Sequence, residues 1–99
     1  MINKALKLIR QFHNYKQADL ASIFGISKSF LSEIESGKKT VSLDLLNKYS
    51  SQFDIPVSSL VFFSETLSSK KQLSDNIKQT MSNKLLDLMD WLVKKNNGP

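Results

Sequence analysis

Residues 16–37 read KQADLASIFGISKSFLSEIESG, and their punctuation decides the fold. From Gln17 to Phe24, the residues Leu20, Ala21, Ile23 and Phe24 fall on one side of a helix. Gly25 stands just past its end, where a residue that accepts positive φ closes a helix. Ser27 is a good N-cap for the next helix, and Ile26 before it is placed to staple onto Leu31 at the fourth helical position. That helix is expected from about Ser27 to Ser36, with Gly37 as its stop. At about 100° per residue, Phe30, Leu31 and Ile34 share one arc, and Lys28, Ser29, Ser32, Glu33 and Ser36 fill the other. The outer face is short and polar, nearly free of bulk. Small hydroxyls beside one ammonium and one carboxylate suit a surface that reads hydrogen-bonding edges.

On the N-terminal side, Ile2, Ala5, Leu6, Ile9 and Phe12 form a single helical stripe, and a break follows at His13-Asn14-Tyr15. On the C-terminal side, Lys38-Lys39-Thr40 makes a basic loop. Ser42 caps a fourth helix with Asp44 in its first turn, where negative charge suits the helix dipole. Its expected stripe is Leu43, Leu46, Tyr49 or Ser50, and Phe53. Pro56 opens a fifth helix with Val57, Leu60 and Val61 inward, ending near Phe63. Residues 64–71, SETLSSKK, read as a linker. From Gln72 to Lys95 one long amphipathic helix is expected, roughly 36 Å in length, followed by a frayed tail. Its stripe is Leu73, Ile77, Met81, Leu85, Leu88 and Leu92, widened by Leu86, Met89 and Val93.

The chain has 99 residues, 14 Lys+Arg and 9 Asp+Glu, for a net charge of +5 that points to a polyanionic partner. That excess is uneven: residues 1–65 hold 8 basic and 6 acidic side chains, residues 66–99 hold 6 and 3. Within the first part only Lys16, Lys28, Lys38 and Lys39 form a local basic cluster. There is no cysteine, which excludes a disulfide framework and thiol chemistry, and His13 is the single histidine. No metal site and no cofactor is expected. No serine stands in a nucleophile elbow, there is no glycine-rich phosphate loop, and no carboxylate pair needs a chemical role, so no enzyme is expected. No apolar run reaches the ~18–20 residues of a membrane span, and no secretory leader is read at the N-terminus. A cytoplasmic module is the expectation.

The run Gln17-x-x-Leu20-Ala21, the turn Gly25-Ile26-Ser27, and Leu31-x-x-Ile34-Glu35-x-Gly37 together resemble the Cro/repressor-like (XRE-type) helix-turn-helix family of bacterial and phage regulators. The resemblance covers roughly residues 4–63, and residues 64–99 lie outside it. It implies an all-α chain, with a five-helix lambda-repressor-like DNA-binding domain over residues 1–63. The third helix would enter the major groove of double-stranded DNA and present its N-terminal part to base edges. The outward residues Lys28, Ser29, Ser32 and Glu33 agree with that placement. Lys28 can donate to guanine O6 or N7, the serines to a nearby acceptor, and Glu33 can accept from cytosine N4. Gln17, opening the second helix, and Ser27, opening the third, can meet phosphates with side chains and free N–H groups. Lys16 takes the cap site before the second helix, where Ser or Thr is usual; a lysine cannot cap, but its ammonium can reach a phosphate. Lys38, Lys39 and Thr40 lie in the loop that runs along the sugar-phosphate strand in this family. The resemblance also implies a structural ion pair between Arg10 and Glu35. Phe30 stands between a thymine-methyl contact and partial packing, and His13 reads as a surface residue at a helix end.

The C-terminal stripe has two readings. It packs back on its own domain, or it pairs with a second copy through Leu85, Leu88, Met89, Trp91 and Leu92. The second makes a homodimer suited to a palindromic operator. The leading functional expectation is a dimeric, sequence-specific transcriptional repressor without a sensor domain, controlled by its own concentration, a regulatory partner protein or a small ligand. The competing one is a protein-interaction module, an antitoxin or phage-type adaptor whose C-terminal helix captures a partner protein.

Overall fold

The computed structural model describes residues 2–69 and 81–97, and among these all regular structure is helical. The order is α1 (Ile2–Phe12), α2 (Gln17–Phe24), α3 (Lys28–Ser36), α4 (Leu43–Phe53), α5 (Val57–Ser69) and α6 (Asn83–Asn97). Helix α1 lies against α3, α5 and α6; α2 packs on α3, and α5 packs on α4 and α6. One core joins them, built from Ala5, Leu6 and Ile9 of α1, Leu20 and Phe24 of α2, Leu31 and Ile34 of α3, Tyr49 and Phe53 of α4, and Leu60 and Phe63 of α5.

Four helices stop in one way. A residue in the left-handed region follows each of α1 to α4: Asn14, Gly25, Gly37 and Asp54. At Gly25 and Gly37 the two bonds of a Schellman ending form: Ile26 N–H to the Ala21 carbonyl (3.0 Å) with Gly25 N–H to Ser22 (3.1 Å), and Lys38 N–H to Glu33 (2.9 Å) with Gly37 N–H to Ile34 (3.2 Å). Gly37 is constrained twice. Its φ is +85°, and a Cβ there would stand 3.1 Å from the Asn3 amide nitrogen. The starts are equally local. Ser27 Oγ accepts from Phe30 N–H at 3.0 Å and Ser42 Oγ from Leu45 N–H at 3.1 Å. Lys16 makes no side-chain cap for α2.

Several expectations change. In α4 the buried arc is Leu45, Tyr49 and Phe53, while Leu43 is 67% exposed. Three leucines at 43, 45 and 46 admit two arcs, and the aromatic pair four residues apart chooses the one that continues Leu45. Ile23 and Val61, expected inward, are exposed. The fifth helix does not stop at Phe63 but runs to Ser69, through six residues of the expected linker. Its hydroxyls turn back onto the helix: Thr66 Oγ1 donates to the Phe62 carbonyl (2.9 Å) and Ser68 Oγ to the Ser64 carbonyl (3.1 Å), so polarity here does not mean loop.

The expected helix over residues 72–95 is not continuous. Met81 and Ser82 are non-helical, Ser82 Oγ caps α6 by accepting from Leu85 N–H at 3.2 Å, and α6 continues to Asn97. Leu73, Ile77 and Lys70-Lys71 lie outside the described residues. Leu85 and Leu88, expected at an interface with a second copy, are fully buried in their own domain; Met89 and Trp91 are half-buried against the same core, and Leu92 is half-buried. Of the two readings of the stripe, packing back describes Leu85 and Leu88. The Trp91 ring meets Phe12 edge-on at 5.5 Å, and Lys95 Nζ sits 4.9 Å from the Trp91 ring centre. Among the described residues no helix is long and apolar enough to cross a membrane.

Candidate nucleic-acid interface

The outward residues of α3 line an open groove. Lys28, Ser29, Ser32 and Glu33 meet Gln17 of α2 around a concavity of about 540 Å³. The first four are the expected base contacts and the fifth an expected backbone contact, and the fold brings them together. Lys28, Ser29 and Ser32 are exposed, with Glu33 and Gln17 half-buried. Ser27 sits at the rim of the first turn of α3, where its Oγ already holds Phe30 N–H. Lys16, Lys38, Lys39 and Thr40 are all exposed. Lys39 is the most engaged of these: its Nζ lies 3.8 Å from Glu33 Oε2 and 6.0 Å from the centre of the Phe30 ring. The two side chains keep 53% and 41% of their surface in solvent, which limits the worth of the pair to about 0–1 kcal/mol. Phe30, 37% exposed, rests at the edge of the core rather than within it.

Beneath this surface lies a buried charged pair. Arg10 Nε donates to Glu35 Oε2 at 2.6 Å and Arg10 Nη2 to Glu35 Oε1 at 3.0 Å, a bidentate arrangement with side-chain exposures of 11% and 3%. Arg10 Nη1 donates to the Tyr15 carbonyl at 2.8 Å, and Asn3 Nδ2 to the Glu35 carbonyl at 3.2 Å. These bonds tie α1 to the last turn of α3 and fix the rotation of α3 about its axis. Burial pushes the nearby Tyr49 phenol well above its usual range; the Glu35 charge adds to this and Arg10 offsets part of it.

A helix-turn-helix family model matches residues 6–60, more than half of the chain. The chain belongs to the Cro/repressor-like helix-turn-helix family. The matched segment runs from Leu6 within α1 through α2, α3 and α4 to the first turn of α5, and so takes in the whole groove described above. Two relatives each match just over half of the chain. A protein of Pyrococcus horikoshii named "Putative HTH-type transcriptional regulatory protein" is 39% identical over 54 residues, covering 54% of this chain and 17% of the relative. "Antitoxin PezA" of Streptococcus pneumoniae is 36% identical over 55 residues, covering 56% of this chain and 35% of the relative. The chain thus spans about a third or less of the relatives it matches. No solved structure matches it significantly.

Family membership locates the helix-turn-helix but not every side chain that serves it. Gln17 Nε2 donates to Glu35 Oε1 at 3.0 Å, a bond not foreseen in the sequence. Lys48 was also missed: its Nζ donates to the Phe24 carbonyl at 2.8 Å, satisfying a carbonyl left open at the C-terminus of α2. His13, expected at the surface, is half-buried. Its ring lies 4.6 Å from Phe53 and 4.9 Å from Phe12, and its Nδ1 donates to the Ile9 carbonyl at 2.9 Å. Among the described residues no cluster of His, Cys, Asp or Glu could hold a metal ion.

Proposed function

We propose that the chain is a sequence-specific DNA-binding regulator of transcription that reads the major groove with α3. The observation that carries this reading is the open polar groove of Gln17, Lys28, Ser29, Ser32 and Glu33 on the outer face of α3. Base edges in the major groove offer donors and acceptors that one ammonium, two hydroxyls and one carboxylate can match. Lys16, Gln17, Ser27, Lys38, Lys39 and Thr40 frame that surface and supply phosphate contacts, which give affinity and salt dependence rather than sequence choice. Two copies on a palindromic operator would set their α3 helices about 34–36 Å apart. With Leu85 and Leu88 committed to the core, such a pair would meet through another surface. Bound at a promoter, the domain would repress by occlusion and would need no enzymatic step or cofactor.

The relative named an antitoxin is matched over only 35% of its own length, so its name alone does not carry capture of a partner protein to this chain, and the groove on α3 favours the DNA-binding reading. The deciding experiment is selection of bound fragments from a random duplex pool. An enriched motif is expected, and its symmetry and half-site spacing report the number of copies bound. No enrichment above bulk genomic competitor would overturn the reading.

A further inference from the structure

We propose that Glu35 is a positioning residue for DNA binding, acting through Gln17, an inference that rests on the DNA-binding reading above. Glu35 is too deeply buried to touch a duplex, yet its carboxylate accepts three side-chain N–H groups: Arg10 Nε, Arg10 Nη2 and Gln17 Nε2. An ionised carboxylate offers acceptors only. Gln17 therefore turns its NH₂ group, not its carbonyl, toward Glu35. With one N–H held there, amide planarity directs the other N–H and the carbonyl away from the carboxylate, on the side chain that lines the groove with Lys28 and Ser29.

The carboxylate cannot drift, because Arg10 grips both of its oxygens and is itself held by the Tyr15 carbonyl. A continuous set of bonds thus runs from the α1–α2 turn through the interior to the floor of the interface. A glutamine free in solvent would have to be ordered when DNA binds. Ordering a rotamer-rich side chain weakens association by about two- to tenfold. The Glu35 clamp does that ordering in advance. Because Gln17 opens α2 and does not stand on α3, its contact is with the phosphate strand, and the effect should be the same for every duplex sequence.

A double-mutant cycle on the full chain, read as duplex affinity, tests this. Glu35→Gln is expected to weaken binding to all duplexes equally, by about two- to tenfold, in the native background and to leave the affinity of Gln17→Ala unchanged. An equal loss in both backgrounds, or no loss in the native one, overturns the inference, since a purely structural role for Glu35 would not depend on Gln17. The second measurement needs no substitution: ¹⁵N relaxation of the Gln17 side-chain amide in the free protein. A rigid amide is expected, and a mobile one overturns the clamp; this measurement decides alone if Glu35→Gln does not fold. A native chain that binds no duplex overturns the DNA reading itself, whereas a chain that binds but shows no coupling overturns only the role of Glu35.

Discussion

Helices α3 and α6 pack on the same α1, yet they are held by different forces. Helix α3 buries Leu31 and Ile34, and its rotation against α1 is set by a directional contact, the buried Arg10–Glu35 pair. Helix α6 buries Leu85 and Leu88 and leans the Trp91 edge on Phe12; its ion pair to the body of the domain, Lys84 to Asp54 at 3.6 Å, is exposed on both sides. Apolar burial is non-directional and stabilises without fixing rotation. A charged bidentate contact fixes rotation, at the cost of desolvating both ions. A helix whose outward side chains must keep one orientation, as the proposed function asks of α3, needs the second kind of constraint, and a helix that covers a core needs only the first.

The largest expected effect probes the directional side. Arg10→Met leaves Glu35 buried without its ion partner and should destabilise the domain by about 3–5 kcal/mol. The urea midpoint measures this. Replacing both partners, Arg10→Met with Glu35→Leu, should restore most of that stability while leaving Gln17 unclamped. If the double variant is as unstable as the single one, the pair is more than a device for orientation, and the contrast between α3 and α6 fails.

Next is the non-directional side. Leu88→Ala should cost about 2–5 kcal/mol, the range for truncating a fully buried leucine, and the loss should not vary with protein concentration. A loss that shrinks as concentration rises would mean that a second copy completes this core, restoring the dimer reading of the stripe.

A smaller effect of opposite sign is expected between the two regions, at Tyr49. Its hydroxyl is buried with no hydrogen-bond partner among the described residues, so Tyr49→Phe should raise stability by about 1–3 kcal/mol, the usual penalty of an unmade buried bond. Because the folded phenol titrates above the unfolded one, the neutral form favours the native state. That stability is complete below about pH 10, the unfolded value, and declines as pH rises beyond it. Tyr49→Phe should flatten this alkaline decline, as followed by thermal unfolding between pH 9 and 11 (roughly one unit either side of that value). An unchanged slope would show that the hydroxyl is ionised or solvated in the native state.

Much of the site was legible because it is written in local signals. Ser27, Gly25 and Gly37 act within a few residues of themselves, so their chemistry fixes the ends of α2 and α3 without reference to the rest of the chain, and the outward face of α3 follows from periodicity. The remainder depends on tertiary geometry. Residues 17 and 35 are 18 positions apart, and their bond forms where α2 packs on α3 beside the carboxylate that Arg10 of α1 holds. Thr66 and Ser68 read as linker because composition does not reveal that a hydroxyl will bond back to its own helix. The stripe of α6 was visible as a stripe; apolar spacing states that a face is covered and is silent about what covers it.

The last predictions separate the roles of two lysines on the proposed reading surface. Lys28→Ala removes an exposed donor at the first position of α3 and should change which duplexes are preferred, by about 1–3 kcal/mol of discrimination at one base pair if the contact is bidentate. Lys39→Ala should weaken binding to all duplexes alike and reduce the magnitude of the slope of log K against log salt by about one. Lys39 also lies 3.8 Å from Glu33, so its removal frees that carboxylate. A slope reduced by clearly less than one would mean that Lys39 stays on Glu33 in the complex and releases no counterion, leaving Lys38 and Lys16 as the cations that meet the phosphates. Both titrations can be run on one pair of duplexes, one selected and one scrambled. A Lys39 effect confined to the selected duplex would move this side chain from the phosphate strand to the base edges.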